Sequence, residues 1–308
     1  MTAVRLVNTA ELQREEWLAW RRRGIGSSDA AAICGLNPYK SALEVWLDKT
    51  DQAVAGDEQS ESAYWGTVLE DVVAREFATR TGLKVRRLNA IVQHPRHPFM
   101  LANIDREIVG GGVLECKTAS EYAKEQWTEG KAPELYQIQV LHQLAVTGEP
   151  FGYLAVLLGG RRFLHLRIER DEEMIANLVE IERQFWDLVK SNTPPAPDGS
   201  EASTELLARM YPTAKPEEIA LPSEAADLIR QAEEAGKYKK EWERRENEAE
   251  NQLKALLGDF EAGRYGDRLV VWKNVVQKRF DGKAFAKDYP ELHEKYQRVT
   301  EYRRFALK

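Results

Sequence analysis

The chain has 308 residues, of which 43% are hydrophobic and 31% are charged, and its formal net charge is −6. This composition predicts a globular protein with a sizeable core and excludes a simple, strongly basic protein that coats nucleic acid. The two cysteines, Cys34 and Cys116, argue against a disulfide framework, a zinc site or an iron–sulfur cluster. They favour a reducing cytoplasm, and no membrane partner is expected because no apolar run approaches the length of a membrane span.

The first eighty residues are predicted to be mainly helical, with helices over residues 11–23, 29–34, 42–49 and 64–81. Arginines 21–23 end the first helix and precede Ser28 near the start of the second. Guanidinium groups beside a serine-rich turn favour a phosphate cradle, and the alternative is an ordinary cap with a solvated basic end. In the last of these helices, Glu70 adjoins the apolar stripe, where it is either a solvated acid or a third carboxylate for a site further along.

The stretch that organises the chain is residues 105–117, with the sequence DREIVGGGVLECK. Residues 99–104 and 113–118 have the apolar character of short strands, and three consecutive glycines between strands are typical of a hairpin connection. The sequence therefore predicts a hairpin that places Asp105 close to the end of the neighbouring strand.

Within that second strand, residues two apart share a face, so Glu115 and Lys117 point to one side and Cys116 to the other. Two carboxylates, Asp105 and Glu115, together with the Cys116 carbonyl oxygen supply the hard oxygen ligands that Mg²⁺ prefers. Lys117 can then orient a water and offset charge on a phosphate. A surface hairpin with a cross-strand pair is the alternative interpretation of the same residues.

After this strand, residues 133–147 are predicted to be a helix that carries Gln139 and Gln143 on one side. These amides are suited to holding a water or a phosphate oxygen, unless they lie on an ordinary helix surface. A hairpin over residues 151–168 and a charged helix over 171–191 complete an α/β domain with a mixed central sheet. A proline-rich segment follows, then a long helix over 225–257 with an imperfect apolar seam, and the predicted strands 269–273 and 302–305.

Five motifs together resemble the YqaJ-like viral recombinase family, which is the lambda-type phage exonuclease group of the PD-(D/E)xK nuclease superfamily. They are GIGSSDAAAICGLNPYKSALEVW, WGTVLEDVV, ANIDREI, GGVLECKTA and YQIQVLHQLAVTG. The resemblance implies a restriction-endonuclease-like core with a mixed central sheet flanked by helices. It further implies a nuclease domain over residues 1–195, a linker over 196–221 and a C-terminal α+β appendage with a long helical arm over 222–308.

The resemblance also implies roles for individual residues. Asp105, Glu115 and the Cys116 carbonyl would bind two Mg²⁺ ions, which Mn²⁺ could replace, and Lys117 would be the catalytic lysine. Glu70 would be an acidic residue near the metals, and it is also a candidate ligand. The remaining site residues would be Gln139 behind the carboxylates and Arg22 or Arg23 with Ser28 around a 5′-terminal phosphate.

A protein of this family is expected to degrade one strand of duplex DNA from its 5′ end, as a ring-shaped trimer in the bacterial host cytoplasm. It would leave a 3′-ended strand for a phage single-strand annealing protein. A ring would reconcile the net negative charge with DNA binding, since basic groups would line only the channel. The alternatives are an endonuclease of restriction or repair type, or a non-catalytic scaffold that binds DNA ends.

Overall fold

The computed structural model describes residues 3–53, 61–128 and 130–307. The chain divides into two compact units, Met1–Tyr211 and Pro212–Lys308. None of the described helices is both long and apolar enough to cross a membrane.

The first unit alternates helices and strands, as an α/β class requires. In chain order its elements are β1 (Val4–Asn8), α1 (Arg14–Arg21), β2 (Ile25–Gly26), α2 (Ser27–Ile33), α3 (Ala42–Lys49), α4 (Glu61–Thr81), β3 (Val85–Arg86), β4 (Ala90–Gln93), β5 (Met100–Asn103), β6 (Arg106–Ile108), β7 (Val113–Ala119), α5 (Glu134–Thr147), β8 (Phe151–Leu158), β9 (Arg162–Glu169), α6 (Glu172–Lys190) and α7 (Glu201–Met210). The predicted class, with a mixed central sheet flanked by helices, is confirmed.

The central sheet has the strand order β3-β6-β7-β8-β9, with β7 and β8 parallel and the other neighbours antiparallel. Side chains alternate along a strand, so they project from both faces of the sheet. A different helix covers each face. On one face Leu114 and Ala155 pack against Phe77 of α4, and on the other Val113 and Leu154 belong to the cluster formed by α5. Glu115 and Lys117 alternate in step with Val113, so the strand directs them toward α5.

A second sheet, with the order β1-β4-β5-β2, meets the first where the chain passes from β5 to β6. The glycine hairpin forms as predicted, but its first strand is the short β6 and not residues 99–104, which form β5 of the second sheet. Gly110, Gly111 and Gly112 all have positive φ, a conformation that glycine adopts without steric cost. Asp105 therefore lies in the bend between the two sheets, beside the middle of β7.

Helices α2, α3, α6 and α7 share a further apolar cluster, in which Leu206 of α7 is fully buried. The prediction of a linker over residues 196–221 is wrong in this respect, because residues 201–210 form a capped helix within the first unit. The stripe predicted for α4 is also only partly buried. Phe77 and Val73 are buried, whereas Val68 and Val72 remain exposed, because α4 meets the sheet with its C-terminal half.

The second unit contains α8 (Ala225–Leu257), a hairpin of β10 (Ala262–Tyr265) and β11 (Arg268–Val271), and the short helices α9 (Gly282–Asp288) and α10 (Pro290–Lys295). The long helix is found over the predicted residues. The strand predicted over residues 302–305 is wrong, since these residues form neither helix nor strand.

Candidate active site

Side chains from both sheets and four helices converge on one cavity of about 430 Å³ in the first unit. Its lining includes Asp105, Glu115, Lys117, Gln139, Arg21 and Ser28, together with Trp17, Gly26, Ser27, Ala63, Thr67, Ile91, Leu101, Ala102 and Asn103. Most of the residues predicted to form a site are therefore brought together.

Glu115 is the most constrained acidic group of the cavity. Its Oε1 accepts hydrogen bonds from Lys117 Nζ and Gln139 Nε2, both at 2.6 Å, and its Oε2 accepts one from Gln143 Nε2, also at 2.6 Å. The glutamines are one turn apart on α5, so one helix face holds both oxygens of the carboxylate. Gln143 is fully buried, and its Oε1 has no hydrogen-bond partner among the described residues, which leaves this amide committed to Glu115.

Asp105 lies beside Glu115 with little compensation for its charge. Its Oδ2 accepts one hydrogen bond from the Cys116 backbone N–H at 2.8 Å. Burial, followed by the charges of Glu115 and Glu70, raises the pKa of Asp105 well above its usual range. A buried pair of carboxylates with one nearby ammonium favours a further cation between them.

Lys117 supplies that ammonium. Burial lowers the pKa of Lys117, but the carboxylates of Glu115 and Asp105 outweigh burial, so that its pKa is raised overall. The Nζ atom also lies 5.2 Å from the ring centroid of Tyr136, within range of a cation–π contact. Lys117 is thus held as a cation at neutral pH, and sequence alternation alone predicted the side of the strand on which it lies.

Glu70 is close to the site but is engaged by another residue. Its carboxylate forms an ion pair with Arg106 Nη1, while Arg106 Nη2 binds Asp71 Oδ1 at 2.6 Å. Arg106 is 4% exposed, and it also donates to the Asp105 backbone carbonyl. Sequence reasoning missed Arg106; the available signal was an arginine within a short strand that follows directly on Asp105.

The arginine that lines the cavity is Arg21, and not Arg22 or Arg23 as predicted. Arg21 Nη2 donates to Ser28 Oγ at 2.8 Å. Arg22 pairs with Asp51 at 2.8 Å, and the guanidinium of Arg23 stacks on a tryptophan ring at 4.0 Å. Trp17 and Arg21 lie one turn apart on α1 and both line the cavity, whereas Arg22 and Arg23 follow the helix and do not line it, because successive residues of a helix point about 100° apart.

A buried ion pair supports this arginine from behind. Lys49 Nζ lies 2.7 Å from Asp29 Oδ2 and donates to the Arg21 backbone carbonyl at 3.0 Å. Burial alone would raise the pKa of Asp29, but Lys49, Lys40 and Arg21 outweigh burial and hold it well below its usual range. The pair therefore connects α3 to the end of α1 and the start of α2, and sequence reasoning did not identify it.

Helix α5 is anchored by a second buried pair. His142 Nε2 donates to the Leu101 backbone carbonyl at 2.8 Å, and its Nδ1 lies 2.7 Å from Glu182 Oε1 on α6. Burial lowers the pKa of His142, but the Glu182 carboxylate outweighs it and raises the pKa. These contacts fix the helix that carries Gln139 and Gln143 against β5.

The donor set of the cavity suits a hard divalent cation. Asp105 and Glu115 offer neighbouring carboxylates, and Cys116, whose backbone N–H binds Asp105, would add its carbonyl oxygen. Burial and the charges of Glu115 and Glu70 raise the pKa of Asp105, so a bound cation would favour its ionised form. Among the described residues, no group of three or more His, Cys, Asp or Glu side chains has the geometry of a metal site. A cation here would therefore have two side-chain ligands and one backbone oxygen ligand. Glu70 would not be among them, because its carboxylate is ion-paired with Arg106.

Asp105 in the bend between the two sheets, beside Glu115 and Lys117 in the middle of a strand of the mixed sheet, is the arrangement of a restriction-endonuclease-like core. The YqaJ-like viral recombinase domain model matches residues 16–150, which include all of these residues. The uncharacterized protein YqaJ of Bacillus subtilis (strain 168) is 43% identical over 308 residues, covering 98% of this chain and 97% of that protein. The chain belongs to the YqaJ-like viral recombinase family.

More distant matches extend to a virus and to solved structures. Protein D345L of African swine fever virus (strain Badajoz 1971 Vero-adapted) is 38% identical over 72 residues, or 23% of this chain and 21% of that protein. An alkaline exonuclease (LHK-Exo) from Laribacter hongkongensis is 20% identical, with a TM-score of 0.49, and covers 65% of this chain and 100% of its own. A phage related exonuclease from Haemophilus somnus 129PT is 14% identical, with a TM-score of 0.43. The match covers 57% of this chain and 99% of that one.

Proposed function

We propose that this protein is a metal-dependent exonuclease that degrades one strand of duplex DNA from its 5′ end during phage-type recombination by single-strand annealing. One observation carries the proposal: Asp105, Glu115 and Lys117 line the same cavity, with Glu115 held by two glutamines. Membership of the recombinase family supports DNA as the substrate.

In this proposal Asp105, Glu115 and the Cys116 carbonyl would hold two Mg²⁺ ions, and Mn²⁺ could substitute. When bound, such ions activate a water and stabilise charge on the scissile phosphate. Glu115 keeps one orientation because both of its oxygens are hydrogen-bonded, and Lys117 positions the attacking water and offsets negative charge that develops on the phosphate. Glu70 acts as an accessory carboxylate, and its bond to Arg106 keeps it next to Asp105.

The 5′-terminal phosphate is assigned to Arg21 and Ser28. Both line the catalytic cavity, and their mutual hydrogen bond presents a guanidinium and a hydroxyl together. Arginine offers planar, forked donors that match a phosphate. Binding of the terminal phosphate at a fixed distance from Glu115 and Lys117 would set which phosphodiester is cleaved.

The proposed partners are double-stranded DNA ends, further copies of the chain in a trimeric ring, and a single-strand annealing protein that receives the 3′-ended product. These partners follow from the family resemblance. A ring would also reconcile the net charge of −6 with DNA binding, because duplex DNA would contact only a basic inner surface.

The first test is digestion of linear and covalently closed duplex DNA, with Mg²⁺ or with EDTA, on ends that carry 5′-phosphate or 5′-hydroxyl groups. Loss of the linear form alone, dependent on metal and faster from phosphorylated ends, is the expected result. Nicking of the closed circle would instead indicate an endonuclease. Binding of ends without cleavage in either metal would indicate a scaffold.

A further inference from the structure

Helix α8 of the second unit is a long helix with almost no packing of its own. It spans 33 residues, about 50 Å at 1.5 Å per residue, and within the described residues only Leu257 of this helix is buried. Isolated helices are marginal in water unless an apolar face is covered. Large side chains exposed along it include Leu228 (65%), Trp242 (63%) and Leu256 (84%).

Most of the large exposed side chains of α8 follow a regular seam, and the exposed Ile229 and Tyr238 flank it. Steps of four and three residues alternate along its whole length, an average of 3.5 residues, which is the repeat of a left-handed two-stranded coiled coil. The seam consists of Leu228, Ala232, Ala235, Lys239, Trp242, Glu246, Ala249, Leu253 and Leu256. Away from the seam, ion pairs such as Arg244–Glu248 and Lys254–Glu250 lie along the helix and suit a solvated face.

The two charged positions of the seam specify the direction of a partner helix. Lys239 and Glu246 lie at equivalent heptad positions on either side of Trp242 and Glu243, at the middle of the helix. A parallel second copy would place lysine against lysine and glutamate against glutamate. An antiparallel copy whose two-fold axis passes close to Trp242 would place Lys239 of each chain near Glu246 of the other.

A surface depression lies at the same point. It is lined by Lys239, Trp242, Glu243, Arg245 and Glu246, and the Arg245 guanidinium lies 5.0 Å from the centroid of the Trp242 ring. Four of these residues have the spacing i, i+3, i+4 and i+7, which is the spacing of a hole that receives one side chain of a facing helix.

We propose that α8 is a self-association surface, on which a second copy of this chain docks antiparallel with Trp242 at the centre and two Lys239–Glu246 pairs beside it. The seam is complementary to itself only in this direction. The proposal is independent of the nuclease assignment, because every residue of the seam belongs to the second unit.

Charge exchange in the full-length chain tests the proposal by sedimentation equilibrium, where the two-fold α8 contact gives dimers of the chain or pairs of the proposed trimeric ring. K239E and E246K should each weaken self-association by at least about tenfold, since each creates two like-charge pairs in the seam. The double variant K239E/E246K should return the association constant to within about threefold of wild type. K237E carries the same charge change on the outer face and serves as the matched control, and circular dichroism confirms that each variant keeps its helix.

Cysteine cross-linking gives a second, geometric readout. Oxidation of E243C should link two chains, because position 243 meets its counterpart near the centre of an antiparallel pair. L228C should not link, because the two copies of position 228 would then be about 40 Å apart at 1.5 Å per residue. Wild-type protein reports the background from Cys34 and Cys116. Linking of L228C alone, unaffected association in both single variants, or no rescue in the double variant would overturn the proposal.

Discussion

The Lys49→Met substitution probes the buried ion pair that supports Arg21. The side chains of Lys49 and Asp29 are 0% and 2% exposed, and their charged atoms are 2.7 Å apart. Removing one partner of a buried pair leaves the other charge without compensation, at a cost of about 3 kcal/mol of unfolding free energy. The variant also loses the hydrogen bond to the Arg21 carbonyl, so the preference for 5′-phosphorylated ends should fall with the stability.

Lys40→Met is the matched control. Lys40 Nζ lies 3.6 Å from the other oxygen of the same carboxylate, and its side chain is 31% exposed. A partly solvated pair of this kind contributes under about 1 kcal/mol. Urea denaturation of the two variants and wild type measures both effects. Equal destabilisation by the two substitutions would refute the argument that burial makes Lys49 the important partner.

The difference in unfolding free energy between wild type and Lys49→Met should depend on pH in one direction. The pKa of Asp29 is held below its usual range, so the stability gained from its ionised form is fully present above about pH 4, the ordinary aspartate value. That stability is lost progressively as pH falls from about 4 toward the lowered pKa of the folded protein. The difference in unfolding free energy between wild type and Lys49→Met should therefore be constant from pH 8 to 5 and shrink below about pH 4. A constant difference at lower pH would contradict it.

Four further substitutions test the proposed site. Arg21→Ala should lower the ratio of cleavage rates on 5′-phosphate and 5′-hydroxyl ends about tenfold, whereas Arg23→Ala, which removes a guanidinium outside the cavity, should leave the ratio unchanged. Gln143→Met should reduce metal-dependent turnover about 10- to 100-fold by releasing one oxygen of its glutamate partner; unchanged turnover would argue against that role. Arg106→Met should lower the unfolding free energy measured in thermal or urea melts by about 1 kcal/mol, because the carboxylates that lose Arg106, of Glu70 and Asp71, are partly exposed to water. Lys117→Ala should abolish cleavage while gel-shift binding of DNA ends persists, and loss of binding would indicate a structural lysine.

The sequence by itself determined which of the central side chains share a face of their own strand or helix. Strand alternation was sufficient to place Glu115 and Lys117 on one face, because the two-residue period of a strand leaves a single choice. The helical spacing of Gln139 and Gln143 likewise put both amides on one side of α5, and the structure directs that side toward Glu115. These are local properties of one element, and local geometry fixes them before any packing occurs.

Only the tertiary structure decided which side of each element faces the cavity. Arg21, Arg22 and Arg23 are equivalent in a basic run, and the packing of α1 selects the first of them. Arg106 became visible only once β6 was placed beside α4, where it meets Glu70. The face of a helix or strand on which a side chain lies follows from local geometry. The residue that it contacts depends on how distant elements pack, and the sequence alone did not reveal that packing.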